Sequence, residues 1–286
     1  MSKPFSLRIF VADGDPDGLR VVERSNWIGK ALVFPRALLP KVKARDELGQ
    51  TGVYLLLGPR DDGEGDKLYV GEGDPVRPRL ESHYAQKDFW SRAVCFVAAP
   101  GQLNKAHVQF LEANLVRLAK AAKRLPLDNG NTPAEPTLSE ADRADMSVFL
   151  ENMLGLLPVL GVHAFERVPQ ALAPGVTLLT CRGKGVEAQG YESTQGFVVK
   201  AGSRAVAEPV PSFLQLRGTA DLRADLIASG VMVPEAGAYR FTQDYAFSAP
   251  SAASDIVMGG ATNGRLMWKD GKGRTLKELQ ALEVGG

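Results

Sequence analysis

Cysteine is nearly absent from this chain of 286 residues, which carries only Cys95 and Cys181. The two lie far apart and form no Cys-x-x-Cys pair, which excludes a zinc knuckle and a disulfide framework. Long apolar runs are also missing: none approaches the roughly 18 residues of a membrane-spanning helix, and the first ten residues lack the apolar core of a signal peptide. We therefore expect a cytoplasmic protein with no membrane partner.

A large excess of one charge is missing as well, since 34 Lys and Arg stand against 33 Asp and Glu. This balance hides a local asymmetry, because residues 67–124 contain ten Lys or Arg against five acidic residues, whereas residues 132–164 contain five acidic residues and one Arg. A polyanion-binding surface needs such a basic stretch, and Arg77, Lys87 and Lys105 are its candidate phosphate contacts. The alternative is a solvated helix face.

The first 50 residues predict an N-terminal extension. Apolar residues alternate from Phe5 to Val11 and return from Leu19 to Val22, with a cluster of Asp and Gly between the two runs. This pattern is typical of a β-hairpin. A short helix is expected after Pro35.

From Gly52 onward the pattern becomes more regular. An apolar strand carrying Tyr54 and a second strand carrying Tyr69 are joined by a polar loop, which predicts a hairpin. Pro75 is suited to open a helix, on which Arg79 and His83 would lie side by side. A third strand, a long helix and a further helix are then expected over residues 90–97, 103–124 and 137–157.

Glu112 stands out within the long helix. At about 100° per residue it falls inside the apolar stripe that Val108, Leu115 and Ala119 define. An ionised carboxylate is costly to bury alone. Glu112 is therefore expected either to pair with a cation such as Arg79 or a lysine, or to lie at a cleft where a metal or ligand completes it.

The order strand, strand, helix, strand, helix, together with these residues, resembles the GIY-YIG nuclease family over about residues 51–131. Gly52-Val53-Tyr54 stands for the first family triplet and Tyr69-Val70-Gly71 for the second, with valine in place of isoleucine in both. Arg79 matches the position of the catalytic arginine of the family, and Glu112 that of its metal-binding glutamate. Asn129, or its rival Asn131, matches a family asparagine that follows the long helix.

The resemblance implies a set of catalytic roles. Glu112 would hold one Mg²⁺ or Mn²⁺, and Arg79 would bind the phosphate. Tyr54 would orient or deprotonate the attacking water, and Tyr69 would position water or phosphate. His83 would either assist proton transfer or contact a phosphate. Each residue type also has an ordinary structural use, such as a tyrosine at the edge of a core or an asparagine in a turn.

The remainder of the chain changes character. Residues 166–216 predict short strands between Gly-rich turns, and residues 217–286 predict helices around 222–227 and after Pro250, and strands at 239–242 and 266–268. Residues 217–280 resemble an uncharacterised domain often found behind such nuclease domains. That domain is a candidate for substrate targeting, with Trp268 either stacking on a base or lying in the core.

These observations predict an α+β protein with four parts. They are an N-terminal extension over residues 1–50, a GIY-YIG-like domain with its small sheet flanked by helices over 51–165, a β-rich connection over 166–216 and a separate small α+β domain over 217–286. The predicted function is metal-dependent hydrolysis of DNA phosphodiester bonds. A catalytically inactive nucleic-acid-binding module and an RNA-directed nuclease are the alternatives.

Overall fold

The computed structural model describes residues 4–60, 65–166 and 175–284. The chain divides into two compact units, residues 1–166 and 167–286, each with its own sheets and helices. The expected α+β class is confirmed, because antiparallel sheets and helices make up both units. No described helix is both long enough and apolar enough to cross a bilayer.

The first unit contains one sheet and four α-helices in its described residues. In chain order its elements are β1 (Leu7–Val11), β2 (Arg20–Arg24), β3 (Gly29–Pro35), α1 (Leu39–Val42), β4 (Gly52–Pro59), β5 (Asp66–Gly73), α2 (Val76–Gln86), β6 (Arg92–Ala98), α3 (Lys105–Ala122) and α4 (Glu140–Leu156).

The six strands form a single antiparallel sheet in the order β1-β2-β3-β6-β4-β5. The predicted N-terminal hairpin is present as β1 and β2, but it is not a separate appendage, because β3 joins it to β6. Strand β3 was not predicted. Its run Ala31-Leu32-Val33-Phe34 is buried on both faces of the sheet, so it lacks the alternation that marks a half-buried strand.

Helices cover both faces of strand β4, which lies next to the edge strand β5. Val53 and Leu55 belong to a core shared with α3 and α4, whereas Tyr54 and Leu56 belong to a core shared with α1 and α2. Alternate residues of one strand therefore reach opposite helical layers, as the two-residue period of a strand requires.

Helix α3 begins where its capping residue predicts. The Asn104 side chain accepts a hydrogen bond of 3.0 Å from the backbone N–H of His107, which satisfies one of the free donors of the first turn. Helix α4 is capped in the same way by Ser139. Its apolar face is buried and consists of Met146, Phe149, Leu150, Met153 and Leu156, with Leu157 directly after the helix.

The second unit contains two small antiparallel sheets and four α-helices in its described residues. Its elements are β7 (Leu179–Gly183), β8 (Val186–Ser193), β9 (Gly196–Val199), β10 (Arg204–Val206), α5 (Arg217–Ala228), β11 (Met232–Glu235), β12 (Ala238–Phe241), β13 (Tyr245–Phe247), α6 (Pro250–Met258), α7 (Gly264–Met267) and α8 (Leu276–Val284). The sheet orders are β13-β9-β8-β7 and β10-β12-β11.

Two expectations for this unit are corrected by the fold. Residues 179–206 are not a connection, because β9 pairs with β13 and β10 pairs with β12, which places them in the same unit as the C-terminal elements. The strand predicted around residues 266–268 is wrong, since Gly264–Met267 forms the short helix α7. Gly264 fits this start because a Cβ there would lie 2.2 Å from the carbonyl carbon of Pro250.

Candidate active site

The two tyrosines of the glycine-containing triplets lie on neighbouring strands at one edge of the six-stranded sheet. Tyr54 on β4 stands opposite Gly71 on the edge strand β5. The Tyr54 ring crosses Gly71, since a Cβ added to Gly71 would lie 2.5 Å from the Tyr54 hydroxyl oxygen. The glycine of the second triplet therefore makes room for the tyrosine of the first.

Tyr54 and His83 are joined directly. The Tyr54 hydroxyl lies 2.8 Å from Nε2 of His83, and both side chains are buried. Desolvation on burial raises the pKa of Tyr54 well above its ordinary value, although the positive charge of Arg79 acts in the opposite direction. Burial lowers the pKa of His83 to about 4, with the charges of Arg79 and Lys87 acting in the same direction. At neutral pH the pair therefore consists of a protonated phenol and a neutral imidazole.

Arg79 lies on the exposed side of α2, one helical turn before His83. Its positive charge acts on both Tyr54 and Tyr69 and opposes the rise in the pKa of each phenol. The Tyr69 ring also packs edge-on against His83, with 4.8 Å between the centroids. The hairpin and α2 thus bring four of the predicted site residues into one cluster, with a cation at its open side.

Glu112 approaches this cluster from α3. Burial, followed by the charge of Glu72, raises the pKa of Glu112 to about 7, while Arg79 and Lys105 oppose the shift. Among the described residues no Lys, Arg or His forms an ion pair with Glu112, so the predicted alternative of an internal ion pair is not realised. A half-buried carboxylate without a paired cation is suited to a ligand that brings positive charge.

Glu72 is a member of this site that sequence reasoning missed. One carboxylate oxygen, Oε1, accepts a hydrogen bond of 2.5 Å from Nζ of Lys105. The other, Oε2, is buried and has no hydrogen-bond partner in the described part of the chain. The sequence signal was the acidic residue itself, which lies within a strand and directly after the Tyr69-Val70-Gly71 triplet. Acidic residues are depleted in strands.

The side chains present fit a hard divalent cation. No group of three or more His, Cys, Asp and Glu residues able to hold a metal occurs within residues 4–60, 65–166 and 175–284. Glu112, with Glu72 nearby, instead offers one or two carboxylates, which is the protein contribution typical of a Mg²⁺ site completed by water and substrate phosphates. The unpartnered Oε2 of Glu72 and the missing counter-ion of Glu112 both favour this interpretation.

Asn129 lies beside strand β5, and its side chain hydrogen-bonds there to the backbone of Val70. Its Oδ1 accepts from the backbone N–H of Val70 at 2.9 Å, and its Nδ2 donates to the backbone carbonyl of Val70 at 2.8 Å. Backbone hydrogen bonds between residues 126–128 and Leu68 extend this contact along β5. Asn129 thus completes the hydrogen bonds of the edge strand that holds Tyr69, which gives it a positioning role, and its expected catalytic role stays a prediction.

All three predicted phosphate contacts have partners within the first unit. Arg77 donates to the backbone carbonyl of Arg45 at 3.1 Å, and the Lys87 ammonium lies 2.5 Å from a carboxylate oxygen of Asp128. Their charges are therefore less available to a polyanion than their sequence positions suggested. Lys105 pairs with Glu72 but keeps about half of its side chain exposed, 52%.

Trp268 lies in the core of the second unit. It is fully buried, packs against Phe197 with 4.5 Å between the ring centroids and donates its indole N–H to the backbone carbonyl of Pro250 at 3.0 Å. Its predicted stacking on a nucleic-acid base is therefore corrected to the alternative of core packing. Tyr245 is also buried.

Comparison with known protein families matches residues 179–280 to the family described as Domain of unknown function (DUF4357). The match begins at β7 and so includes the strands that sequence reasoning had assigned to a connection. It confirms the expectation of an uncharacterised C-terminal domain and adds no support for the nuclease resemblance of the first unit. No curated protein and no solved structure matches the chain.

Proposed function

We propose that the first unit is a divalent-metal-dependent endonuclease that hydrolyses phosphodiester bonds in DNA. The observation that supports this most strongly is the gathering of Tyr54, Tyr69, Arg79, His83 and Glu112 at one sheet edge from four separate elements. The cluster combines an exposed cation, a neutral imidazole and a carboxylate without an ion pair. Phosphodiester hydrolysis requires this combination of charge neutralisation and proton transfer.

Arg79 binds the scissile phosphate in this proposal. Its guanidinium is exposed, always charged and close enough to Tyr54 and Tyr69 to interact with both electrostatically, so it can form paired hydrogen bonds to non-bridging phosphate oxygens. The same charge stabilises the extra negative charge of the transition state.

Tyr54 orients the attacking water and does not deprotonate it alone. Burial holds the Tyr54 phenol protonated near neutral pH, so it can take a proton from water only while passing its own to Nε2 of His83. His83 is neutral in this pH range and can receive that proton. Tyr69, which is less buried, positions the water or the phosphate.

Glu112, together with Glu72, would hold Mg²⁺ or Mn²⁺ through carboxylate oxygens. The cation supplies Lewis-acid stabilisation of the phosphate and of the leaving oxygen when bound. Glu72 and Glu112 are not assigned as general bases, because their carboxylate oxygens are proposed to hold the cation.

The second unit remains a candidate for substrate targeting. Arg265, Lys269 and Lys272 are exposed on and beside α7 and could contact phosphate, whereas base stacking by Trp268 is no longer part of the hypothesis. This role rests on charge alone and is secondary to the proposal for the first unit.

A cleavage assay with three labelled substrates tests the proposed activity. Single-stranded DNA, double-stranded DNA and RNA would each be incubated with the full chain in Mg²⁺, in Mn²⁺ and in excess chelator. We expect metal-dependent cutting of DNA. Metal-dependent cutting of RNA alone would instead identify the RNA-directed alternative, and binding without cutting would identify an inactive nucleic-acid-binding module.

A further inference from the structure

Lys105 occupies an unfavourable position for a cation. It is the first residue of α3, where the helix dipole places partial positive charge and disfavours an ammonium group. What holds it there is Glu72, whose Oε1 lies 2.5 Å from the Lys105 Nζ. The contact joins the start of α3 to the edge strand β5. The Glu72 carboxylate stabilises the Lys105 ammonium at this position, whereas the helix dipole destabilises it.

Lys105 also lies on the side of α3 that carries Glu112. The two residues are two helical turns apart and therefore share one face of the helix. Lys105 and Glu72 act on the Glu112 carboxyl with opposite sign, which places all three charges within electrostatic reach of one another. The Lys105 ammonium therefore interacts electrostatically with both Glu72 and Glu112, the two carboxylates that are proposed to hold the divalent cation.

The pair is unequally accessible. The Lys105 side chain is 52% exposed, whereas that of Glu72 is 14% exposed. The Oε2 atom of Glu72 is buried and has no partner within residues 4–60, 65–166 and 175–284. The ammonium can therefore move into solvent, while the carboxylate stays in place with one oxygen already unsatisfied. Such an unsatisfied oxygen is costly, and a ligand that pairs with it gains that energy.

We propose that Lys105 is a tethered counter-ion that takes the place of the divalent cation beside Glu72 and Glu112 until substrate arrives. A phosphate of the nucleic acid then draws the ammonium out of the site, and Glu72 becomes the second carboxylate that holds the cation with Glu112. Metal and nucleic acid consequently bind with positive coupling, each raising the affinity for the other. This inference rests on the proposed function and specifies how its metal site is regulated.

Mn²⁺ binding without nucleic acid tests this proposal. Free Mn²⁺ would be measured by electron paramagnetic resonance during titration of the full-length protein and four variants: Lys105→Met, Lys120→Met, Glu72→Gln and Glu112→Gln. Lys120 is the matched control, because it is an exposed lysine near the other end of the same helix. Thermal unfolding of each variant would show that it is folded.

We expect Lys105→Met to bind Mn²⁺ roughly tenfold more tightly than the wild type, because a competing charge is removed. Glu72→Gln should bind roughly tenfold more weakly, Glu112→Gln should lose binding, and Lys120→Met should match the wild type. Lys105→Arg, which keeps the charge, should stay close to the wild type, whereas Lys105→Gln, which removes it, should bind as tightly as Lys105→Met and would replace that variant if it were unstable.

Two contrary results are distinguishable. If Glu112→Gln abolishes Mn²⁺ binding while Lys105→Met and Lys120→Met both bind like the wild type, the counter-ion role is overturned and the metal site stands. If Glu112→Gln leaves Mn²⁺ binding unchanged, the proposed metal site itself fails, and the role of Lys105 fails with it.

Discussion

The Tyr54 ring lies directly over Gly71 on the neighbouring strand, so closely that a Cβ on Gly71 would come within 2.5 Å of the Tyr54 hydroxyl oxygen. Tyr54 is fully buried and hydrogen-bonded, and it cannot move aside without loosening its contact with His83. The two triplets are therefore in steric contact across the hairpin, so each depends on a residue of the other for its packing.

Replacement of Gly71 tests this coupling. Gly71→Ala should lower the free energy of unfolding by about 1–3 kcal/mol, since the added methyl group overpacks a buried site. It should also reduce any cleavage activity. Gly130→Ala is the control, because a Cβ there meets no atom within 4 Å. Urea titration monitored by circular dichroism would measure both, and equal stability of the two variants would contradict the coupling.

The amide of Asn129 tests the positioning role of the segment after α3. Asn129→Ala leaves the backbone N–H and carbonyl of the buried Val70 without their partners, and should cost about 2 kcal/mol of stability. Asn131→Ala, an exposed neighbour, should change little. Thermal unfolding of the two variants gives the comparison. A larger loss of stability from the Asn131 variant would reverse the assignment.

His83 should contribute to the pH dependence of stability. Its pKa is lowered from 6.5 to about 4 by folding, so the unfolded chain binds the proton more tightly between these values. The contribution is therefore present above pH 6.5 and is lost as the pH falls toward 4. It should amount to about 2 kcal/mol after allowance for solvent screening.

Urea titrations between pH 4 and 7.5 would isolate this effect. The stability difference between wild type and His83→Asn should change across the window, because the variant has no imidazole to protonate. A flat difference for the His83 variant would show that its imidazole is not held neutral by burial.

Glu112 should destabilise the protein in the absence of metal. Its pKa is raised from 4.5 to about 7, so the folded state binds the proton more tightly and stability falls as the pH rises from 4.5 through 7. At pH 8, Glu112→Gln should be more stable than the wild type by about 1–2 kcal/mol, discounted for partial exposure. Mg²⁺ should raise the Tm of the wild type and leave that of the variant unchanged.

The exposed Glu151 on α4 provides the matched control for this prediction. Glu151→Gln should keep both the wild-type stability at pH 8 and the wild-type response to Mg²⁺. Differential scanning calorimetry with and without Mg²⁺ would measure all three proteins. An equal Mg²⁺ effect on the Glu112 variant and the wild type would place the cation elsewhere.

The parts of the fold that follow local rules were predictable from sequence. The tyrosine hairpin, the start of α2 after Pro75 and the apolar face of α4 follow from periodicity, proline placement and capping. Strand β3 was not, because it is buried on both faces and lacks alternation, and its place is decided by pairing with β6. Helix α7 was not, because it has four residues and its start is set by close contact with Pro250.

In the candidate site, too, some features follow from local sequence patterns and others from contacts distant in sequence. Glu112 was conspicuous because a carboxylate interrupts an apolar helical stripe, whereas Glu72 acquires meaning only when β5 and α3 place it beside Lys105 and Glu112. The roles of Asn129 and Trp268 likewise depend on partners far along the chain, Val70 and Pro250 respectively. Sequence identifies residue types, but tertiary contacts decide which of their atoms remain free.

Nicking of supercoiled plasmid DNA in Mg²⁺ is the most direct test of the central claim, that the cluster around Tyr54, Arg79 and Glu112 hydrolyses phosphodiester bonds. The wild type and Glu151→Gln should convert the plasmid to open circles, and Glu112→Gln and Arg79→Ala should each be slower by about a hundredfold or more. Wild-type rates in both folded site variants would contradict the claim.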